Sequence, residues 1–449
     1  MATRKRAHVV AVDMGYGHER AAYALRDLSG DAITIANNYP GIPEDDRGLW
    51  EAGRTYYETI SRLQPLPVVG RTLFHAFVDH WQEIEPFYPR RDLSAPTMQL
   101  RQVYHSVARR RQGEHLIELL RGGVRRGVRP PPLVSTFFLP AFAAEEFDYP
   151  GDIYVVICDA DIARVWAPRN PRRSRIRYFA PNGRVVERLR LYGVRREQIY
   201  LTGFPIPKEL IGGPQSPIVR HDLGIRLANL DPHGILRSRY PATFRRHFGE
   251  HFHEKPVRPV TITFAVGGAG AQRAIGVTLL RVLRKQIRRH EIRLQLVAGT
   301  RREVAQYFTQ RVRELRLSDE LGKGVRICYE RERWDYFRSF SALLRETDIL
   351  WTKPSELSFY TGIGIPIIMA EPIGSQEQFN REWLRQVGGG IDQLDPENAD
   401  EWLMDWVRSG GLARMAWNGY IEAPTHGTYR IASIITGKSV EVESLPLVV

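Results

Sequence analysis

Gly15, Tyr16, Gly17 and His18 stand between a strand-like run, "HVVAVD", and a helix-like run, "ERAAYALRDL". A glycine turn that delivers an imidazole to the start of a helix suits proton transfer. The positive end of the helix dipole favours the neutral ring, and a neutral ring near pH 7 accepts a proton from a hydroxyl. The other use of a lone histidine is packing. Asp159 and Asp161 follow another strand-like run, "IYVVICD". They offer a carboxylate for the same chemistry, or a capping acid in a solvated loop. A second glycine turn, "VGGAGAQ", comprises Gly267, Gly268, Ala269, Gly270, Ala271 and Gln272 and again separates a strand from a helix. Backbone without side chains, next to free N–H groups at a helix start, suits a diphosphate; a tight connection is the alternative. The spacing is neither the dinucleotide GxGxxG nor a P-loop. The segment "TKPSELSFYTGIGIPIIMAEPIGSQEQFNREWL" supplies Glu356, Ser358, Gln376, Glu377 and Asn380, carboxylates, a hydroxyl and amides that suit ribose and sugar hydroxyls. Ser355 and Ser375 resemble helix caps, which is compatible with that use. No metal-ligand spacing occurs, so neither a metal nor a cofactor is expected.

These residues need elements to hold them. Strand-like runs recur with helical stretches between them: "HVVAVD", "AITIANN", "PLVSTFF", "IYVVICD", "IRYFAP" and "QIYLTG", then "VTITFAVGG", "IRLQLVAG", "VRICYE", "DILWTK" and "IPIIMAEP". Alternation of this kind predicts α/β domains with parallel, doubly wound sheets, and two sets predict two domains. The expected boundaries are 1–207 for the first domain, 208–258 for a Pro- and Gly-rich linker or insertion, 259–425 for the second domain, and 426–449 for a tail packing back on the first. Ligands of open α/β sheets sit beyond the carboxyl ends of strands, where all the motifs above lie.

With 449 residues, 43% hydrophobic and 26% charged, the chain reads as a soluble globular protein. No apolar run is long enough to span a bilayer and no signal peptide is visible. Cys158 and Cys328 lie in strand-like runs and read as buried free thiols, which fits a cytoplasmic protein. The formal net charge of +13, mostly arginine, suits anionic partners. No zinc spacing or ribonucleoprotein-type aromatic signature is present, so nucleic acid is not an expected partner.

Taken in order, the motifs resemble the GT-B glycosyltransferases. The similarity is to the group of the peptidoglycan N-acetylglucosaminyltransferase, and within it to the monogalactosyldiacylglycerol synthase branch. "VDMGYGHERAA" resembles that branch's D-x-G-G-G-H-R-x-S-A, and "VVICDADIARVWAP" its strand ending in T-D. "YFAPNGRVVERLRLYGVRREQIYLTGFPI" resembles its segment ending in a Gly-x-Pro turn. "VGGAGAQ", "TKPSEL" and "PIGSQEQFN" resemble its diphosphate loop, K-P-G-G and P-x-x-G-Q-E. The resemblance implies two Rossmann-like domains facing a central crevice. It implies metal-independent, inverting transfer of a sugar from a nucleotide diphosphate sugar, a UDP-sugar first, to an acceptor hydroxyl. His18 would be the base, with Asp159 as the alternative. Gly15, Gly17 and Asp161 would lie on the acceptor side. The 267–272 loop would hold the diphosphate, Tyr329, Glu330 and Glu356 the base and ribose, and Gln376, Glu377 and Asn380 the donor sugar. Two departures stand out: Thr361 falls where the peptidoglycan enzyme's pattern has a ribose-binding Glu, and "TFFLPAF" replaces a His-Pro of the lipid branch. A non-hydrolysing nucleotide-sugar 2-epimerase shares this fold and should show a set of carboxylates near the reacting carbon. A non-catalytic nucleotide-sugar-binding protein is the third reading.

The acceptor side carries aromatic helical stripes: Trp50, Gly53, Tyr57 and Ile60, then Val69, Leu73, Phe74, Phe77 and Trp81. Core packing is one reading. The other is a lipid-receiving face at the inner surface of the membrane, aided by Arg109, Arg110, Arg111, Arg121, Arg125 and Arg126.

Overall fold

The computed structural model describes residues 6–52, 84–122, 130–265, 272–372 and 374–442. Among the described residues twelve strands form two six-stranded sheets. The first holds β1 (His8–Ala11), β2 (Thr34–Ile35), β3 (Leu133–Ser135), β4 (Ile153–Val156), β5 (Arg177–Ala180) and β6 (Ile199–Leu201), in the order β2-β1-β3-β4-β5-β6. The second holds β7 (Val260–Ala265), β8 (Ile292–Gly299), β9 (Val325–Tyr329), β10 (Ile349–Thr352), β11 (Ile367–Met369) and β12 (Gly390–Asp392), in the order β12-β11-β10-β7-β8-β9. Every pairing is parallel. This is the α/β, two-sheet architecture that the GT-B resemblance implies.

Parallel strands joined by helical crossovers are buried on both faces, so their sequences are largely apolar, although β7 carries Thr261 and Thr263 and β8 Arg293 and Gln295. β1 shows this. Val10 packs in one cluster with Leu133, Ile153 and Val155, while Val9 and Ala11 pack in another with Val134, Tyr154 and Phe179. In the first sheet the chain builds β2 on one side of β1 and then returns to build β3 on the other. In the second it builds β8 and β9 on one side of β7, then β10 on the other. The crossovers at these two switch points diverge and leave a gap beyond the strand ends.

Residues 208–258, expected as a linker or insertion, pack against the second sheet's core. The Pro217–Leu230 helix places Leu223 and Leu227 in its core. The buried Arg226 donates to the carbonyls of Thr347 at 2.7 Å and Ile363 at 3.0 Å. The buried Asp348 accepts from Thr261 N at 2.8 Å and pairs with Arg258 at 2.6 Å. The last described helix, Gly427–Thr436, crosses back to the first sheet. Its Ile431 packs with Ala7 and Val9, and Thr428 Oγ1 donates to Ile206 O at 2.5 Å. Among the described residues no helix is long and apolar enough to cross a membrane.

Candidate functional site

The turn after β1 is short because its ends are pinned. Asp13 N donates to Asn37 Oδ1 at 2.7 Å, and Asn37 Nδ2 returns a bond to Asp13 O at 3.0 Å. Gly15, with φ +105°, then turns the chain into the Tyr16–Ala24 helix, a conformation that side chains rarely adopt. The first turn of that helix meets the second domain. Tyr16 OH contacts Thr300 Oγ1 at 3.0 Å and accepts from Thr300 N at 3.1 Å. Glu19 pairs with Arg333, which also reaches Asp13 at 2.8 Å. Arg20 pairs with Glu356 and donates to Tyr336 OH at 3.1 Å. Gly17 is small for a packing reason: a Cβ there would lie 3.0 Å from Glu356 Oε2.

His18 faces the crevice between the domains. Its Nδ1 lies 2.7 Å from Thr136 O, at the end of β3. A carbonyl can only accept, so Nδ1 carries the proton and Nε2 keeps its lone pair. Phe137 packs edge-on to the ring, with centroids 5.1 Å apart, and Trp166 lies at 6.1 Å. Burial lowers the His18 pKa below its ordinary value, against the raising effects of the Thr136 carbonyl and of Glu356. Asp159 lies beyond the end of β4 and lines the same crevice. Burial pushes its carboxyl up to about 6, even though Asn380 Nδ2 donates to Oδ1 at 3.0 Å; Glu356 and Glu377 push it further up, and Lys353 down. A neutral imidazole, held below its ordinary pKa by burial, and a carboxyl raised to about 6 therefore line one crevice.

The second domain supplies the opposite wall. Lys353 follows β10 and pairs with Glu377 on the Ser375–Gln386 helix. Glu356 opens the 3-10 helix Glu356–Ile363, in which Ser355 makes no side-chain cap bond. Thr352, Leu357, Gln376 and the β7 residue Ala265 complete this wall. Three carboxylates, Asp159, Glu356 and Glu377, thus converge with two cations, Arg20 and Lys353, beside one neutral imidazole.

The structure groups Gly15, Gly17, His18, Asp159, Glu356, Gln376 and Glu377 in one crevice. It sets others apart. The acceptor-side expectation for Asp161 is not met: the residue is 1% exposed and both its oxygens are bonded to Arg188, at 2.8 Å, with Arg184 adding a third bond at 2.9 Å. Burial without its pair of cations would be costly, so this carboxylate holds the fold of the first domain. Asn380, expected at the donor sugar, is fully buried and spans the two domains, accepting from Ala160 N at 2.7 Å while it donates to Asp159. Tyr329 and Glu330 lie at the end of β9, outside the crevice lining; Glu330 N donates to Gly299 O at 3.1 Å and its carboxylate accepts from Ser339 at 2.7 Å. Gln272 caps the Arg273–Val282 helix with φ +66° and donates to Glu371 O at 3.0 Å. Gly267, Gly268, Ala269, Gly270 and Ala271 lie outside the described residues, as do Gly53 to Trp81 of the aromatic stripes, Arg125 and Arg126. Trp50 is buried in the core of the first domain, Arg121 bonds the Phe147 carbonyl, and Arg111 pairs with Glu114.

Sequence reasoning missed Arg20, Lys353 and Tyr336 as crevice residues and named Tyr16 only as part of the glycine turn. Arg20 and Lys353 sat in plain view inside "GHERAA" and "TKPSEL", and their type was the only signal. Their partners lie 336 and 24 residues away, which no local spacing announces.

No protein-family model matches the sequence, and no curated protein is significantly similar to it. Solved structures resemble it along nearly the full chain. A Listeria monocytogenes protein described as a UDP-N-acetylglucosamine 2-epimerase is 12% identical, with a TM-score of 0.48 and all of both chains covered. The UDP-GlcNAc 2-epimerase of Neisseria meningitidis, solved with UDP-GlcNAc bound, is 12% identical with a TM-score of 0.45, covering 96% of this chain and 99% of that one. A glycosyltransferase of Rickettsia africae is 9% identical with a TM-score of 0.40, covering 97% and 100%. At such identities and scores the likeness carries no argument about the reaction, which rests on the crevice itself.

Proposed function

We propose that the chain acts on a nucleoside diphosphate sugar held in the crevice, with His18 and Asp159 as its proton-carrying residues. UDP is the nucleotide that the sequence resemblance implies. The reaction we favour is epimerisation at the carbon next to the anomeric centre, which needs no acceptor. One base removes the C2 proton while the C1–O bond electrons leave with the diphosphate. A second group returns a proton to the opposite face, the diphosphate adds back to C1, and exchange with solvent resets the pair. Such a reaction needs two groups able to change protonation state near neutrality, and it needs charges nearby to balance the departing diphosphate. The observation that supports it is the meeting of His18, with Nε2 open, and Asp159, pushed up to about 6, in one crevice with Glu356 and Glu377.

Transfer to an acceptor hydroxyl is the second reading, and the His18 geometry alone favours it. There Nε2 would take the acceptor's proton as the sugar inverts onto it, and one base would suffice. A lipid as acceptor draws only on aromatic stripes that lie outside the described residues.

Incubation with UDP-sugars in D2O separates the readings. Epimerisation yields an interconverted sugar with deuterium at C2 and no need of acceptor. UDP released only when an acceptor is added, with no deuterium at C2, overturns epimerisation in favour of transfer. Binding without either product leaves a non-catalytic binding protein.

A further inference from the structure

A second cavity, of about 380 Å³, lies on the first domain and shares no lining residue with the crevice. The Gly183–Leu191 helix builds one wall. Gly183, Val186, Glu187 and Arg190 line it and, at i, i+3, i+4 and i+7, form one helical face, while Val185, Arg188 and Leu189 turn to the core. Leu201, at the end of the edge strand β6, and Val186 give it an apolar floor. Arg90 and Arg196 close it.

The charges do not balance. Arg190 is held by Glu187 at 2.9 and 3.1 Å. Arg196 spends one N–H on the Ile199 carbonyl at 2.8 Å. Arg90 lies over the rings of Phe87 and Tyr88, at 5.5 and 6.0 Å. Among the described residues neither Arg90 nor Arg196 meets a carboxylate. Their neighbours contrast with them: Arg91 pairs with Glu85, Arg195 with Glu197, and Arg184 and Arg188 with Asp161. Two guanidinium groups that meet no carboxylate among the described residues, lining a cavity with Val186 and Leu201, match a tetrahedral oxyanion on a small organic body, because a guanidinium N–H pair can meet two oxygens at once.

The geometry points to a second ligand site here, for a phosphate monoester, independent of the sugar nucleotide chemistry proposed for the crevice. The phosphate would lie between Arg90 and Arg196 and the organic part on Val186 and Leu201. A soluble metabolite and a lipid headgroup share this chemistry. The test measures glycerol 3-phosphate binding by calorimetry and phosphatidylglycerol vesicle binding by co-sedimentation. It compares the native chain, Arg90→Gln/Arg196→Gln, and Arg289→Gln/Arg338→Gln, a control that removes equal charge from exposed positions of the second domain. The expected result is a loss of 10-fold or more in the first variant and less than 2-fold in the control. Glycerol 3-phosphate binding assigns a soluble ligand, and vesicle binding alone assigns a headgroup. If neither probe binds, or both double variants weaken binding equally, the site is overturned. Should Arg196→Gln lower the melting temperature, Arg90→Gln alone, at an exposed position, must still weaken binding 3-fold or more, or the proposal fails.

Discussion

The two strand-end gaps of this molecule are built alike and equipped differently. At the switch point of the first sheet, between β1 and β3, the chain places His18, whose Nδ1 is committed to Thr136 O and whose Nε2 has no partner among the described residues. At the switch point of the second, between β7 and β10, it places Lys353 and Glu356, each already paired, with Glu377 and with Arg20. An uncommitted lone pair on a neutral ring can carry a proton. Paired charges hold position and set a field. On the proposed function the difference would give proton transfer to the first domain and electrostatic framing to the second, although the topology of the two sheets gives no hint of it.

The most damaging way to break that assignment is to remove the imidazole. His18→Ala should lower turnover on a UDP-sugar by roughly 100-fold or more while nucleotide affinity, measured by calorimetry, stays within a few-fold. Loss of stability with activity retained would make His18 a packing residue and shift the proton work to Asp159. A smaller effect is expected at Asp159 itself. Asp159→Asn keeps the size of the side chain and removes the titrating carboxyl, so turnover should fall roughly 100-fold, the lower end for a proton-carrying group. The pH–rate profile sharpens the point: an inflection near pH 6 belongs to Asp159 and should vanish in the variant. An inflection that persists there belongs to another group.

Eleven of the twelve described strands were legible as short runs rich in β-branched, apolar and aromatic residues between turn signals, most plainly the central ones buried on both faces. β12 was not, since Gly388, Gly389 and Gly390 precede only Ile391 and Asp392, and three glycines carry no strand signal. The crevice was legible where chemistry and position coincide, as for His18 and Asp159 at strand ends. It was illegible where a side chain's use depends on a distant partner. Asn380 and Asp161 have the residue types of ligand-binding groups, yet one bridges the domains and the other is buried between two arginines. Spacing along the chain carries no information about contacts closed across 220 or 27 residues.

Asn380 offers a test that separates framing from chemistry. Its Oδ1 accepts from the N–H of the buried Ala160, and its Nδ2 donates to Asp159. Asn380→Ala should cost about 1–3 kcal/mol of stability in denaturant unfolding, because a buried N–H loses its partner. Activity should fall mainly through a displaced Asp159. If stability is untouched, the amide is not a clamp between the domains, and its expected place at the donor sugar regains force.

The smallest effect concerns Glu19, next to His18 on the same helix but turned away to Arg333. Burial pushes its carboxyl up to about 7, with Arg333 pulling down and Asp13 pushing up. In the unfolded chain the same group titrates near the ordinary value of 4.5. Between those values the folded state holds a proton that the unfolded state has released, so Glu19's contribution to stability is fully present below pH 4.5 and declines as pH rises to about 7. Asp159, raised from 3.8 to about 6, contributes in the same direction over a lower window. Glu19→Gln keeps an oxygen facing Arg333 and removes the titration. The decline between pH 6 and 7 should then flatten, and the decline between pH 4.5 and 6 should shrink to the part owed to Asp159; melting temperatures across pH 4–8 would show it. The expected change is on the order of 1–3 kcal/mol over the window. An unchanged slope would mean that Arg333 keeps Glu19 ionised, so that both domains meet here through fixed charges alone and the contrast between a proton-carrying and a charge-framing side would rest on His18 and Asp159 only.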